Sequence, residues 1–311
     1  MAGVLDVVTH RPPEAGDVST IRALADAAAE SDGHPPFGDL VWRDLSDPTP
    51  ESAVLVASDA TGALGALHLA PPDNRTRADE LLAALVVDPS RRDGAVERAL
   101  VDAACRDAAG RGGGRLVLWV FGADDTPAAF ATDAGFTLER EVQQLRVDLP
   151  IAERPRWPTG IEVAPFRPGV DDDEWLAVNN RAFAADPDQS GWTRETLARR
   201  LEASWFDPDG FLLARDTNGI AGFCWTKVHP ADPPHEAQDL GEIYVIGVDP
   251  ERQGTGLGRA LVIAGLDWLH EHGTRVGMLF VDAANEPAIA LYRALGFEVT
   301  RRDRAYVRDV P

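Results

Sequence analysis

Lysine occurs once in this 311-residue chain, as Lys227, and cysteine twice, as Cys105 and Cys224. Neither cysteine stands in a CxxC or Cys/His spacing, so a thiolate-held metal is not expected, and their apolar surroundings mark both as buried thiols. The seven histidines form no HxxxH or HExxH pattern, which removes the usual histidine-held metal sites as well. Basic charge is scarce: 30 Lys and Arg stand against 51 Asp and Glu, and a net charge of -21 disfavours a surface that tracks nucleic-acid phosphates. No uncharged apolar run approaches the roughly 18 residues of a membrane span, and MAGVLDVVTHRPP lacks a basic region followed by an apolar core. Neither nucleic acid nor membrane is expected as a partner, and a soluble, cytoplasmic monomer is.

The length suits two globular domains at about 150 residues each. An internal repeat supports that division. LVVDP (Leu85 to Pro89) returns as VIGVDP (Val245 to Pro250), AGF (Ala134 to Phe136) as LGF (Leu295 to Phe297), and DATG (Asp59 to Gly62) as DTNG (Asp216 to Gly219). The proline-rich stretch beginning at Pro150 holds the chain extended, which predicts domains at 1–150 and 161–311 joined by a linker at 151–160.

The second copy reads as strand (Ile161 to Phe166), helix (Asp172 to Phe183), a further helical stretch (Trp192 to Ser204), and a hairpin (Phe211 to Arg215, Ile220 to Val228) turning on Asn218 and Gly219. Strand (Glu242 to Val248), helix (Gly256 to His270), strand (Val276 to Val281), helix (Pro287 to Leu295) and strand (Glu298 to Val307) follow. The mixture predicts an α/β fold, with helices on the faces of a mixed sheet in each domain.

The stretch RQGTGLG, Arg252 to Gly258, follows a strand and opens a helix. Its glycines let the backbone approach a ligand, and the free amides and positive dipole end of the helix favour an anion. Arg252 and Arg259 add fixed charge. The glycine spacing fits neither a nicotinamide-binding turn nor a P-loop.

With Gln253, Gly256 and Gly258 in this loop and NEPAIALYRALGF at Asn285 to Phe297, the chain resembles the GNAT superfamily of acyl-CoA-dependent N-acyltransferases. The resemblance implies two tandem GNAT-like domains and acetyl-CoA as acyl donor. It implies that Ile246, Gly247 and Val248 pair with the pantetheine arm, and that Gln253, Gly254, Thr255, Gly256, Leu257, Gly258 and Arg259 hold the pyrophosphate. It further assigns Asn285, Glu286, Pro287, Ala288, Ile289 and Ala290 to the cofactor, with Leu85, Val86 and Val87 as counterparts in the first copy. The segments NNRAFAADPDQSGWT, WFDPDGF, WTKVHP and GEIYVIGVDP look like the mycothiol-forming tandem branch of that superfamily, which acetylates the cysteinyl amine of the thiol sugar Cys-GlcN-Ins. That likeness puts Asp39, Asp188, Lys227, Glu242 and Phe280 at substrate contacts. Asp188 stands where a glutamate is common, and Phe280 where a tyrosine occurs.

Attack on a thioester requires an uncharged amine, and an α-amino group titrates near about 7.7 to 8.0. A carboxylate at Glu242 suits the role of general base, directly or through a water, and a phenol at Tyr292 suits protonation of the departing thiolate. Backbone amides at Ile246 to Val248 suit the developing oxyanion. Lys227 suits a sugar hydroxyl or carbonyl, with a solvated strand-end charge as the plain alternative. Cys224 has no histidine placed to activate it, which favours direct transfer over a covalent step. Trp192, Trp205 and Trp225 favour the core over sugar stacking.

In the first copy, SRRDGAV at Ser90 to Val96 carries Val96 where a small residue is required, Glu242 has no clear counterpart beyond Glu80, and DTPAAFATDAGF at Asp125 to Phe136 has Phe130 and no tyrosine before Gly-Phe. The first half is therefore expected to be non-catalytic, holding acetyl-CoA idly or having lost it. Two other readings remain open: an N-acetyltransferase for another small amine or a protein N-terminus, and a non-catalytic acyl-CoA-binding module.

Overall fold

A computed structural model describes residues 5–72, 79–123, 128–184, 191–231 and 236–311. Contacts divide the chain into two compact units, Met1–Val142 with Arg301–Pro311, and Gln143–Thr300. Three features of this division differ from the sequence expectation. The first unit ends at Val142 rather than at residue 150, the segment 151–160 lies inside the second unit, and Arg301–Pro311 lies with the first.

The first unit contains β1 (Asp6–His10), α1 (Ala15–Asp32), α2 (Asp39–Ser46), β2 (Ala53–Asp59), β3 (Gly62–Ala70), β4 (Glu80–Val87), α3 (Ala95–Gly110), β5 (Gly114–Val120), α4 (Ala129–Asp133) and the first part of β6 (Thr137–Asp148). The second contains the rest of β6, then β7 (Glu162–Pro165), α5 (Asp172–Ala182), α6 (Arg194–Leu201), β8 (Phe211–Asp216), β9 (Gly219–His229), β10 (Leu240–Val248), α7 (Leu257–Glu271), β11 (Val276–Asp282) and α8 (Glu286–Ala294). The last strand, β12 (Glu298–Val310), enters the first unit at Arg301.

In the first unit the strands run β1-β2-β3-β4-β5-β12. Alternation sends Val54, Ala66, Ala84 and Val86 to one face, under Ile21 and Leu24 of α1 and Val41 of α2. Leu55, Leu67, Leu69 and Leu116 go to the other face, under Leu100, Val101 and Ala104 of α3. Strand β12 belongs here because it pairs with β5 from Arg304↔Val120 to Val310↔Gly114 and buries Tyr306 and Val310 in that core. A repeat offset reports which segments are alike, not which sheet edge the last one joins.

The second unit repeats the plan with the order β6-β11-β10-β9-β8-β7. One face carries the aromatic core of Trp175, Trp192, Phe211, Phe223 and Trp225 beneath α5 and α6. The other carries Cys224, Ile243, Leu261, Leu266 and Tyr292 beneath α7 and α8. Helix α7 lies close on the sheet, since a Cβ at Gly265 would stand 2.5 Å from the Cys224 Sγ.

The β8–β9 turn departs from the expected pair of positive φ angles. Gly219 alone has one, at 117°, no non-glycine residue in the described chain does, and the ladder shifts register between Ala214 and Arg215. Asp216 explains the difference: its Oδ1 accepts the Asn218 amide at 2.7 Å, which fixes the turn without bending Asn218 into the left-handed region. Of the two cysteines, Cys224 is buried and Cys105 is only partly so.

Tyr306 is fully buried, and its hydroxyl accepts the Ala128 amide at 3.0 Å. Tyr306→Ala should lower the free energy of unfolding by about 3 to 5 kcal/mol, measured by chemical denaturation. A loss below about 1 kcal/mol would show that β12 is not integral to the first unit's core.

Candidate active site

The second unit's site begins where two strands part. Strand β10 pairs in parallel with β11 only at Leu240↔Val276, Gly241↔Gly277 and Glu242↔Met278, while its antiparallel ladder with β9 continues to Val248↔Gly222. From Ile243 onward, the β10 backbone groups on the β11 side therefore face a gap rather than a strand. The divergence coincides with a bulge, a register shift between Ile243 and Val245 that leaves Tyr244 as the extra residue. Ile246, Gly247 and Val248 stand along this gap.

Beyond β10, a short 3-10 turn at Pro250–Arg252 leads into the glycine loop. Gly254 has φ 75° and Gly256 φ 86°, a region that disfavours any side chain, and a Cβ at either would meet nothing within 4 Å. Gly256 caps α7 with no side-chain partner, so the first amides of that helix remain as donors facing open space. The two arginines do not add the free charge expected of them. Arg252 Nε donates to Asp216 at 2.6 Å, and Arg259 Nη2 to Glu153 at 2.5 Å. The hydrogen bond from Arg252 holds the Asp216 carboxyl below its usual range. The affinity of this loop for an anion rests on its amides.

At the point of divergence sits Glu242, 7% exposed. Its partner across the ladder is Lys227, also buried, whose Nζ lies 5.1 Å from the centre of the Trp205 ring and 5.8 Å from that of Tyr244. The Tyr244 hydroxyl in turn accepts from Arg200 Nε at 3.0 Å. His229 Nε2 lies 2.6 Å from Glu242 Oε2. Trp192 and Trp225 are core residues as expected, whereas Trp205 is only partly buried and packs on Tyr244 with ring centres 5.0 Å apart.

Tyr292, on α8, is buried. Burial pushes its phenol well above the ordinary range, with a smaller contribution from Cys224, so the hydroxyl keeps its proton at neutral pH. Burial likewise raises the Cys224 thiol, which leaves it a poor nucleophile. Helix α8 is started by Asn285, whose Oδ1 accepts the Ala288 amide at 3.2 Å, with Pro287 in its first turn. A cleft of 380 Å³ lies against it, lined by Glu286, Ile289, Ala290, Arg293, Gln143 and Ala283. Three of the six residues assigned to the cofactor on this helix thus border one cleft.

Of the other expected residues, Phe280 is on β11 and exposed. Asp39 begins α2 of the first unit, and Asp188 lies outside the described residues. Leu85, Val86 and Val87 end β4, but here the parallel ladder to β5 runs on to Ala84↔Trp119 and the ladder to β3 has no register shift. Glu80 forms an ion pair with Arg115 at 3.2 Å. At the start of α3, Val96 and Glu97 are buried, and burial raises the Glu97 carboxyl above its usual range. Sequence reasoning missed His229 and Tyr244. The period of a strand held the signal for the first, since His229 stands two residues beyond Lys227 and shares its face.

Residues 175–297 match the model of the acetyltransferase (GNAT) family. The chain is 41% identical to the mycothiol acetyltransferase of Thermobispora bispora over 301 residues, covering 94% of this chain and 96% of that one. Its fold is similar to that of a GCN5-related N-acetyltransferase from Sphaerobacter thermophilus, with a TM-score of 0.76 and 23% identity over 98% of this chain and 96% of that one. It is also similar to a tandem GNAT protein from the clavulanic acid biosynthesis pathway, with a TM-score of 0.73 and 23% identity over 99% of both chains. A gapped strand pair, an amide cradle and a buried carboxylate in one unit, with likeness along nearly the whole length, place this chain in the mycothiol acetyltransferase family, within the wider acetyltransferase (GNAT) family.

Proposed function

We propose that the chain transfers the acetyl group of acetyl-CoA to the cysteinyl amine of Cys-GlcN-Ins, forming mycothiol by direct attack. The observation that carries this reading is the end of the β10–β11 ladder at Glu242, which brings a buried carboxylate to the mouth of a gap lined by backbone donors and acceptors. Ile246, Gly247 and Val248 suit the pantetheine arm there. Gln253, Gly254, Thr255, Gly256, Leu257, Gly258 and Arg259 suit the pyrophosphate, and Asn285, Glu286, Pro287, Ala288, Ile289 and Ala290 suit the rest of the cofactor, with Glu286, Ile289 and Ala290 on the cleft. When bound, acetyl-CoA supplies an acyl carbon activated as a thioester.

The chain's own groups supply the rest. Glu242 takes a proton from the incoming ammonium, directly or through a water, and the freed lone pair forms the new C–N bond. Amides at Ile246 to Val248 donate to the oxygen as it gains charge. Tyr292 offers its retained proton to the sulfur as the C–S bond breaks. Lys227, turned toward Trp205 and Tyr244, suits a hydroxyl or carbonyl of the sugar part, with Asp39, Asp188 and Phe280 as further acceptor contacts. The high, buried thiol of Cys224 favours direct transfer over an acyl-cysteine.

The first unit, in this reading, is scaffold and holds no acetyl-CoA at Leu85, Val86 and Val87. Val96 is buried where the second copy has Gly258, so the loop lacks the small residue that close approach of a ligand requires. The first unit's one candidate base is bound to Arg115. Native mass spectrometry of protein saturated with CoA should show one molecule per chain; two would return the first unit to cofactor binding.

Thiol release from acetyl-CoA should be rapid with Cys-GlcN-Ins and slow with GlcN-Ins and a panel of other amines. Preference for another amine would remove the substrate and keep the reaction type. Silence with all of them would favour a binding module. Tyr292→Phe should lower kcat about 100-fold or more with CoA affinity unchanged. Glu242→Gln should cost a similar factor at pH 7, with its rate rising as pH passes the range of the free amine near about 7.7 to 8.0. Wild-type rates in both variants would sink these roles. Cys224→Ser should keep most of its turnover, and a folded but dead variant would instead indicate an acyl-cysteine.

A further inference from the structure

The contact between His229 and Glu242 uses only one of the two carboxylate oxygens. Nε2 of the imidazole stands 2.6 Å from Oε2. An ionised carboxylate is an acceptor only, so Nε2 carries the hydrogen and donates. The geometry comes from the ladder. His229 pairs with Leu240 and Lys227 with Glu242, so both basic residues stand on the Glu242 face of the strands, one directly opposite and one on the diagonal. The two differ in where they point. The Lys227 ammonium lies over the rings of Trp205 and Tyr244, while the imidazole lies on the carboxylate. The imidazole is also the wetter member, with 27% of its side chain exposed against 9% for Glu242.

The geometry points to His229 as the positioning residue for the base: its Nε2–H pins Oε2 and compensates its charge, which leaves Oε1 as the oxygen that receives the proton. This rests on the reading of Glu242 as base. In the step it serves, the ammonium N–H bond breaks, its electron pair stays on nitrogen, and the proton ends on Oε1. His229 gains no proton from the amine and forms no bond to the acceptor. Without the donor, the carboxylate is free to rotate, and burial opposes its charged form with one fewer compensating hydrogen bond. Among the described residues, the other charged and titratable groups on the packed elements are Lys227 on β9, Tyr244 on β10 with the Arg200 guanidinium that reaches it from α6, and Asp239, beside the Leu240 that His229 opposes. All of these persist in a His229 variant, so a change in pH behaviour reports the imidazole.

The test compares His229→Phe, His229→Gln and Glu242→Gln by steady-state kinetics with acetyl-CoA and Cys-GlcN-Ins from pH 6 to 9, with folding checked by circular dichroism. The amide nitrogen of glutamine sits near the position of Nε2, so that variant restores the donor without the ring. His229→Phe should lose roughly 10- to 100-fold in kcat, as expected for one hydrogen bond to a charged group. Its KM for acetyl-CoA should be unchanged and its rate profile displaced to higher pH, and His229→Gln should recover most of the rate. The double variant His229→Phe with Glu242→Gln should be no slower than Glu242→Gln alone, since the histidine acts only through that carboxylate. If Glu242→Gln is impaired while His229→Phe keeps the wild-type kcat and profile, the positioning role is overturned and the base survives. If Glu242→Gln itself behaves as wild type, the base assignment fails and the histidine role with it. A loss in His229→Phe that glutamine does not rescue, with no displacement of the profile, would show a packing role only and also overturns the inference.

Discussion

The parallel ladder between β10 and β11 ends at Glu242↔Met278, and the chemistry of the second unit follows from that early end. A strand inside a sheet normally spends its amides and carbonyls on both neighbours, and leaving one side unpaired away from water is costly. Here the deficit is confined to one edge. The bulge at Tyr244 bends β10 while its ladder with β9 resumes at Val245↔Trp225 and holds through Val248↔Gly222. The strand is thus fixed on one side and open on the other, which suits an extended amide-bearing chain such as pantetheine. The same divergence sets Glu242 at the last paired position, buried by the sheet yet next to the opening.

Comparison of the two units separates scaffold from chemistry within one chain. The Arg252–Asp216 pair has its counterpart in Arg91–Asp59, at 3.2 Å, and both aspartates accept an amide two residues on in the hairpin turn. Asp88 and Asp249 each cap the 3-10 turn that follows their strand. These contacts hold the loop to the hairpin whether or not a ligand is bound, so they persist in both copies. What differs is everything the reaction needs. Gly258 becomes Val96, Tyr292 becomes Ala131 at the same distance before Gly-Phe, Arg259 becomes Glu97, and the carboxylate at 80 is taken by Arg115. The two copies agree in the contacts that fix the hairpin and the loop, and differ at the residues proposed for the reaction.

Most elements of the second unit were legible because each combined a period with a punctuation mark: the Val-Asp-Pro end of β10, the glycines before α7, and Asn285 with Pro287 before α8. The loop was legible in its glycine spacing, whereas the proposed roles of Glu242 and Tyr292 came from side-chain chemistry together with the family resemblance. What stayed hidden depends on distance across the sheet. His229 on Glu242, Arg115 on Glu80 and Arg259 on Glu153 are all pairings between strands or between a helix and a distant segment. The destination of β12 was hidden for the same reason. Its alternation marks it as a strand, but the burial of Tyr306 decides its unit, and burial is a property of the neighbours.

The neutralisation of Arg252 and Arg259 changes how a diphosphate is to be held. A loop that relied on guanidinium charge would work against the field of a chain with net charge -21. Amide dipoles avoid that difficulty, because their orientation is set by Gly254, Gly256 and the axis of α7 and does not depend on side chains that the surrounding carboxylates can claim. The Arg259–Glu153 pair is partly exposed and worth little in itself. A phosphate arriving at the loop therefore meets donors already aimed and a guanidinium that is cheaply redirected. In the first unit the same helix start carries Glu97 in place of Arg259, an acidic side chain that offers a phosphate no counter-charge.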